Sequence, residues 1–317
     1  MQKVIASKPL FIKTLLKIFG IVLLIIIILV CAFLIMSYIT PAVPNDYVKK
    51  AVTGGEIEAT YQSMGEYEVK NIKVNAPKEC KKFDIYYPAE LENKKGNYPV
   101  VVLVNGTGVT ARKYPAVFKH LASWGFIVIG NEDPATNSGK SADMTLAYIL
   151  EKNKDEDSIF YNKVDLENIG IAGYSQGGAG MFNAITVNDH SDMYKVAVAL
   201  SPANEEIAAK EYKPPYDITK VNIPVLMMAG DGDKFETDYV IPLEKLKAMY
   251  EKLQPTPKIM ARRIGSKHSE TLYECDGYLT AWFMYWLKDD DVARKAFFGD
   301  NAELLTNPNW HDVKITE

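Results

Sequence analysis

Residues Gly173-Tyr174-Ser175-Gln176-Gly177 follow the apolar run Ile169-Gly170-Ile171-Ala172 and precede Gly178-Ala179-Gly180-Met181-Phe182. The chain must therefore pass from strand to helix around a single serine. A G-x-S-x-G in that setting makes a sharp elbow that carries the hydroxyl at the top of a sheet. The flanking glycines matter because the backbones that cross there leave no room for side chains, and the strain of the turn lifts the serine clear of the sheet. Ser175 is the candidate nucleophile. A glycine-rich turn without chemistry is the alternative reading of the pentapeptide alone.

A serine hydroxyl attacks only when a base removes its proton, and His120, His190, His268 and His311 are the histidines available. In α/β-hydrolases the partners follow in the order serine, acid, histidine on loops after successive strands. Downstream, Ile223-Pro224-Val225-Leu226-Met227-Met228-Ala229 reads as a buried strand ending in Gly230-Asp231-Gly232-Asp233, and Lys258 to Ile264 reads as another ending in Gly265-Ser266-Lys267-His268. His268 is the expected base. Asp233 is the expected acid, because a short turn lets its carboxylate reach back to the imidazole; Asp231 competes on the same geometry. His120 falls in a helical pattern and reads as a helix-surface residue, His190 lies in a turn, and His311 in a polar C-terminal tail.

The rest of the chain has the rhythm of a doubly wound sheet. Pro99 to Val104, Gly125 to Ile129 and Lys195 to Leu200 are continuous apolar runs of the kind buried on both faces. Helical patterns alternate with them at Tyr114 to Trp124, Ala142 to Lys152, Gln176 to Val187, Val240 to Leu253 and Thr271 to Leu287. This predicts an α/β fold with a mostly parallel sheet. Before Pro99, Tyr67 to Val74 and Lys82 to Tyr87 alternate with period two, which predicts an antiparallel N-terminal edge.

From about Gly65 to about Phe298 the chain resembles the α/β-hydrolase superfamily. Within it, the chain is similar to the bacterial cutinase and poly(ethylene terephthalate) hydrolase branch, with dienelactone-hydrolase-type and platelet-activating-factor acetylhydrolase-like esterases as near relatives. Gly108-Val109-Thr110-Ala111-Arg112 resembles the branch's oxyanion loop. Leu121 to Ile129 resembles the helix and strand that follow, and Lys163-Val164-Asp165 the approach to the nucleophile. The segments around Asp233 and His268 resemble its acid and histidine loops, and Ala281-Trp282-Phe283 with Asp289-Asp290 its C-terminal helix.

Two departures stand out. Where polyester hydrolases place a tryptophan that clamps an aromatic substrate, this chain reads Ser201-Pro202-Ala203-Asn204. The usual His-Gly of the oxyanion loop is replaced by Asn105-Gly106-Thr107-Gly108, which permits two registers. The resemblance implies backbone N–H donors from Thr107, with Val109 as the alternative, and from Gln176. About twenty residues separate Leu200 from Ile223, too few for a lid domain, so an open pocket is expected.

Ile18 to Ile39 carries no charge and is long enough to cross a bilayer core of about 30 Å. Lys3, Lys8, Lys13 and Lys17 precede it, so the positive-inside rule places the N-terminus in the cytoplasm and the remainder outside the cell. A cleaved signal peptide has a shorter apolar core and a small-residue cleavage site, which Met36-Ser37-Tyr38-Ile39 does not supply. The expected organisation is a cytoplasmic segment 1–17, a signal anchor 18–39, a tether 40–64 and a catalytic domain 65–317.

A net charge of −4 gives no nucleic-acid footprint, and no cysteine and histidine spacing suggests a metal. Cys80 and Cys275 can pair in an oxidising compartment. The reading is a membrane-anchored, cofactor-independent serine esterase acting on small esters through Ser175, Asp233 and His268. An acyltransferase or peptidase of the same fold, and a noncatalytic binding module, stand as alternatives.

Overall fold

The computed structural model of the protein describes residues 8–254 and 257–317. The residues divide into two compact units, one ending at Pro41 and one running from Ala42 to Glu317. In the first, Lys8–Ile39 is a single helix. Its stretch Ile12–Met36 is long and apolar enough to cross a membrane. From Ile12 to Met36 its large apolar side chains are exposed on every side. Lys3, one of the residues behind the orientation argument, lies outside the described residues.

The second unit is built on a nine-stranded sheet of order β1-β2-β4-β3-β5-β6-β7-β8-β9. Its strands are Val69–Asn75, Lys82–Pro88, Tyr98–Val104, Ile127–Asn131, Val164–Tyr174, Val196–Leu200, Val225–Gly230, Lys258–Arg263 and Trp310–Thr316, numbered β1 to β9 in chain order. β4, β3, β5, β6, β7 and β8 run parallel to one another, and β1 and β2 form the expected antiparallel edge, β2 pairing antiparallel with β4. β3 and β6 are buried at every position because helices cover both faces. Val100, Val102 and Val104 face one apolar layer and Val101 and Leu103 the other, as the period of a strand requires. Helices Lys140–Lys152, Gln176–Ala184 and Leu243–Lys252 contribute to the first layer, Pro115–Ser123 and Asp276–Lys288 to the second. This is the α/β-hydrolase architecture.

Several expectations are corrected. The C-terminal tail is a strand: β9 pairs antiparallel with β8 and places His311 in the sheet. Cys80 and Cys275 are free, and they sit in opposite apolar layers with the sheet between them. The segment 40–64 is largely not a tether, since from Ala42 it packs into the domain with Val43, Tyr47 and Tyr61 buried. Its helix Glu56–Gln62 begins at Gly55, which has no side chain to cap it. Glu303 supplies the cap from far along the chain, accepting the Ile57 and Glu58 N–H groups at 2.7 and 2.8 Å. A carboxylate at a helix N-terminus satisfies orphan donors and opposes the positive end of the dipole.

His120 is also misplaced by the sequence pattern. It is fully buried, because its helix is covered by the 42–64 segment on the side that periodicity reads as solvent. Nδ1 lies 2.6 Å from the Asp276 carboxylate and Nε2 2.8 Å from the Ser63 carbonyl. The Asp276 carboxylate at Nδ1 favours the imidazolium, while the Trp124 indole N–H also points at Nε2, at 3.4 Å. Burial works against the charged ring, but the charge and hydrogen bond of Asp276 outweigh it and raise the His120 pKa above 6.5. The Tyr47 hydroxyl donates to the same carboxylate.

A raised folded-state pKa contributes stability that is complete below the free-histidine value of about 6.5 and is lost as pH rises through the folded value. Breaking a buried pair by removing one partner costs about 3–5 kcal/mol. In urea unfolding of the detergent-solubilised protein, Asp276→Asn is expected to be less stable than wild type by that order at pH 6. The gap is expected to narrow on going to pH 9. A gap that is constant or widens with pH means that His120 is neutral in the folded protein.

Candidate active site

β5 ends at Tyr174 and the helix begins at Gln176, leaving Ser175 alone to make the turn at φ 56° and ψ −119°. This left-handed conformation is costly for a residue with a side chain, of order 1–3 kcal/mol, and persists only where the surroundings enforce it. They do so by close crossing. A Cβ on Gly173 would lie 2.2 Å from the Gly177 carbonyl oxygen, and one on Gly177 would lie 2.2 Å from that of Val104 at the end of β3. The Ser175 N–H donates to the Leu200 carbonyl at 2.9 Å, and its carbonyl accepts from Gly178 and Ala203 at 2.9 and 3.1 Å. The serine backbone is thus fastened between β5, β6 and the helix.

His268, on the loop after β8, stands with Nε2 3.0 Å from Ser175 Oγ. Its ring stacks on Tyr174, with centroids 5.1 Å apart, and meets Phe235 edge-on at 5.1 Å. The Tyr174 hydroxyl donates to the His268 carbonyl at 3.0 Å. Burial, with the nearby charges of Glu236 and Asp233, pushes the Tyr174 pKa up and keeps that donor protonated.

The carboxylate on the other ring nitrogen is Glu236, where the sequence argument had expected Asp233. His268 Nδ1 lies 2.6 Å from Glu236 Oε2. Asp233 accepts two backbone N–H groups instead, from His268 at 3.0 Å and from Glu236 at 2.8 Å. Asp231 accepts the Gly265 N–H at 2.6 Å and pairs with His311 at 2.8 Å. The physical cause is the path of the chain after β7. It enters a π-helical turn, Phe235–Val240, that brings position 236 under the imidazole while Asp233 holds the start of the turn against the histidine loop. A glutamate on that strand-end loop was the available signal, since an elbow serine accepts either acid.

Glu236 is completely buried, and its second oxygen accepts the Gly230 N–H at 2.9 Å and the Ser201 hydroxyl. Ser201 Oγ is 2.9 Å from Thr271 Oγ1, which in turn lies 3.0 Å from the His268 carbonyl. A carboxylate can only accept, so Nδ1 carries the imidazole proton. Nε2 is thereby free to accept from Ser175.

On the opposite side, the Val109 N–H is bonded to the Gly106 carbonyl at 3.0 Å, while Thr107 and Val109 both line the cavity over Ser175. Gln176 is the first residue of its helix, so its N–H has no intrahelical acceptor. The Gln176 side chain accepts from the Thr136 N–H at 3.1 Å. The Thr136 hydroxyl in turn donates to the Asn105 carbonyl at 2.6 Å, so the polar loop 134–139 braces the segment that leads from Asn105 to Thr107 and Val109. Asn105 is fully buried, donating to the Asn131 and Asp133 carbonyls and accepting from Tyr114.

Ser175 and His268 open into a cavity of about 450 Å³. Ala203 lines it at the position where polyester hydrolases place the aromatic clamp, together with Ile207 from the helix Glu205–Glu211. Aromatic side chains nonetheless reach the cavity from elsewhere, as Tyr212, Phe235 and Tyr239. Among the described residues, no group of three or more histidine, cysteine, aspartate or glutamate side chains is placed to hold a metal ion.

Over 135 residues the chain is 28% identical to chlorophyllase-1, chloroplastic, of Citrus unshiu, a match covering 38% of this chain and 39% of that protein. The wider resemblance matches the architecture and the elbow: residues 51–311 match the PET hydrolase-like family, and the chain belongs to that family.

Proposed function

We propose that the protein is a serine hydrolase of carboxylic esters. The observation that carries this reading is the continuous relay Ser175 Oγ, His268 Nε2, His268 Nδ1 and Glu236, with heavy-atom separations of 3.0 and 2.6 Å. Such a relay has no structural use at the floor of an open cavity, whereas it is what a hydroxyl nucleophile requires. Ser175 Oγ attacks the ester carbonyl as His268 Nε2 takes its proton. Glu236 holds the ring in the tautomer that can do so and stabilises the imidazolium. The carbonyl oxygen gains charge in the tetrahedral intermediate, and the Thr107 and Gln176 N–H groups receive it. Collapse expels the alcohol, which leaves with the proton from His268. Water then attacks the acyl-enzyme with His268 as base, releasing the acid and restoring Ser175.

Asp233 is a positioning residue in this scheme, acting through the His268 backbone. Ser175→Ala and His268→Ala are each expected to lower kcat/KM for p-nitrophenyl acetate by about 10⁴-fold or more. The double variant should be scarcely worse, because the members of such a set act as a unit. Glu236→Gln is expected to cost about 10³- to 10⁴-fold, and Asp233→Asn distinctly less. A severe Asp233→Asn beside a mild Glu236→Gln would reverse the two assignments. Labelling by a fluorophosphonate probe separates an activated serine from a noncatalytic module that merely keeps the fold.

The helix Lys8–Ile39 is proposed to anchor the hydrolase in the membrane, with Lys13 and Lys17 on the cytoplasmic side and the domain outside. Protease added to intact cells is then expected to digest the domain, and a high-salt wash to leave the protein with the membranes, since the attachment is apolar. Recovery of a soluble form beginning after Ser37 would identify the helix as a cleaved signal sequence.

The cavity also bears on substrate size. Between β6 and β7 the chain carries only the short helix Glu205–Glu211 and one further helical turn, with no cap domain over the cavity among the described residues, so the stabilisation of about 0.8 kcal/mol per buried methylene is not fully collected by a long acyl chain. kcat/KM is expected to be higher for acetyl to hexanoyl aryl esters than for palmitoyl esters, with no jump in rate where substrate forms micelles. A marked interfacial jump would show that a segment closes over the cavity.

A further inference from the structure

The wall of the cavity away from the Asn105–Val109 segment combines partly exposed aromatic rings with one carboxylate, Glu211, that no direct ion pair neutralises. Phe235 and Tyr239 come from the π-helical turn that also delivers Glu236, and their rings stack with centroids 5.7 Å apart and planes 28° from parallel. They are 54% and 48% exposed, in a domain that buries most of its large aromatic side chains. Phe235 also touches the His268 ring, so the aromatic wall begins at the catalytic base itself. Tyr212 faces the same cavity from the segment after β6.

Glu211 stands among these rings as the last residue of helix Glu205–Glu211. The Tyr239 hydroxyl donates to its carboxylate at 2.6 Å. That neutral donor fixes the carboxylate against the ring and leaves its charge intact. The neighbouring cations are engaged elsewhere: Lys210 and Lys245 both pair with Glu206, at 2.7 and 2.8 Å. Among the described residues, no lysine or arginine lies within ion-pair distance of Glu211 and none lines the cavity. A carboxylate at a helix C-terminus also opposes the dipole, so the placement is unfavourable for the empty protein. A cation seated in the cavity would relieve both terms, and the exposed ring faces would hold it through their quadrupoles.

We propose that Glu211, Tyr212, Phe235 and Tyr239 form a subsite for an ammonium group carried by the ester, so that the substrates of this enzyme are cationic esters. The inference rests on the hydrolase reading for its substrate, while the subsite itself is testable without turnover. Choline and its uncharged isostere 3,3-dimethylbutan-1-ol have the same shape, with carbon in place of nitrogen. In calorimetric titrations of the full-length Ser175→Ala protein in detergent at low ionic strength, choline is expected to bind about tenfold more tightly than the isostere. Added salt is expected to narrow the difference. Glu211→Gln and Phe235→Leu, each made in the Ser175→Ala protein, are expected to reduce it several-fold.

The active enzyme gives the kinetic counterpart, as the ratio of kcat/KM for acetylthiocholine to that for 3,3-dimethylbutyl thioacetate. That ratio is expected to exceed about ten and to fall in the Glu211→Gln enzyme. Equal binding of choline and the isostere, or a preference untouched by Glu211→Gln, overturns the subsite. A choline preference in a protein that turns over no ester and does not react with fluorophosphonate keeps the subsite and overturns the hydrolase.

Discussion

Everything at this site depends on the crossing of β3, β5 and the helix that follows β5. Gly173, Gly177 and the Val104 carbonyl approach so closely that one added carbon at either glycine would overlap a backbone oxygen. That approach forces Ser175 into a left-handed conformation, and its hydrogen bonds to Leu200, Gly178 and Ala203 hold it there. The strain is local, whereas its support is spread over the sheet. The hydroxyl therefore has little freedom to relax away from His268, and pre-organisation of this kind is what a nucleophile needs.

The buried carboxylate opposite the serine poses a second constraint. Glu236 has no contact with water, and an unpaired charge in such a place would cost several kcal/mol. It is tolerated because the Gly230 N–H, the Ser201 hydroxyl and the His268 ring between them occupy both oxygens. Each donor belongs to a different strand end: β7, β6 and β8. The acid is thus the point where three loops meet. Asp233, which binds the backbone on both sides of the histidine and glutamate contacts, ties two of those loops together. The same π-helical turn that brings Glu236 inward sends Phe235 and Tyr239 into the cavity, so acid placement and the aromatic wall come from one local irregularity.

Far from the cavity, the His120, Asp276 and Tyr47 cluster fastens the segment after Ala42 onto the helix layer. Glu303 and Glu58 reinforce it, the first by capping the helix Glu56–Gln62 and the second by accepting the Trp310 indole N–H at 2.8 Å. These charged and polar contacts act together with Val43, Tyr47 and Tyr61, which bury apolar surface in the same layer.

The elbow, its serine, the histidine on the loop after β8 and the alternation of strand and helix were all legible in the sequence. They rest on local rules: glycine where backbones cross, continuous apolar runs where helices cover both faces, and a histidine at a strand end. The apolar helix was legible for the same reason, since length and composition alone define it. What the sequence could not decide was which carboxylate reaches the imidazole, because Asp231, Asp233 and Glu236 lie within six residues and only the π-helical turn orders their directions. Nor could it place His120 in the interior, since helical periodicity says nothing of a distant segment lying over the outer face. The aromatic wall is assembled from Tyr212, Phe235 and Tyr239 across two loops, and β9 forms only because β8 offers an open edge. Local geometry is written in neighbouring residues, whereas a partner contributed by a distant part of the chain exists only once the sheet has brought the two together.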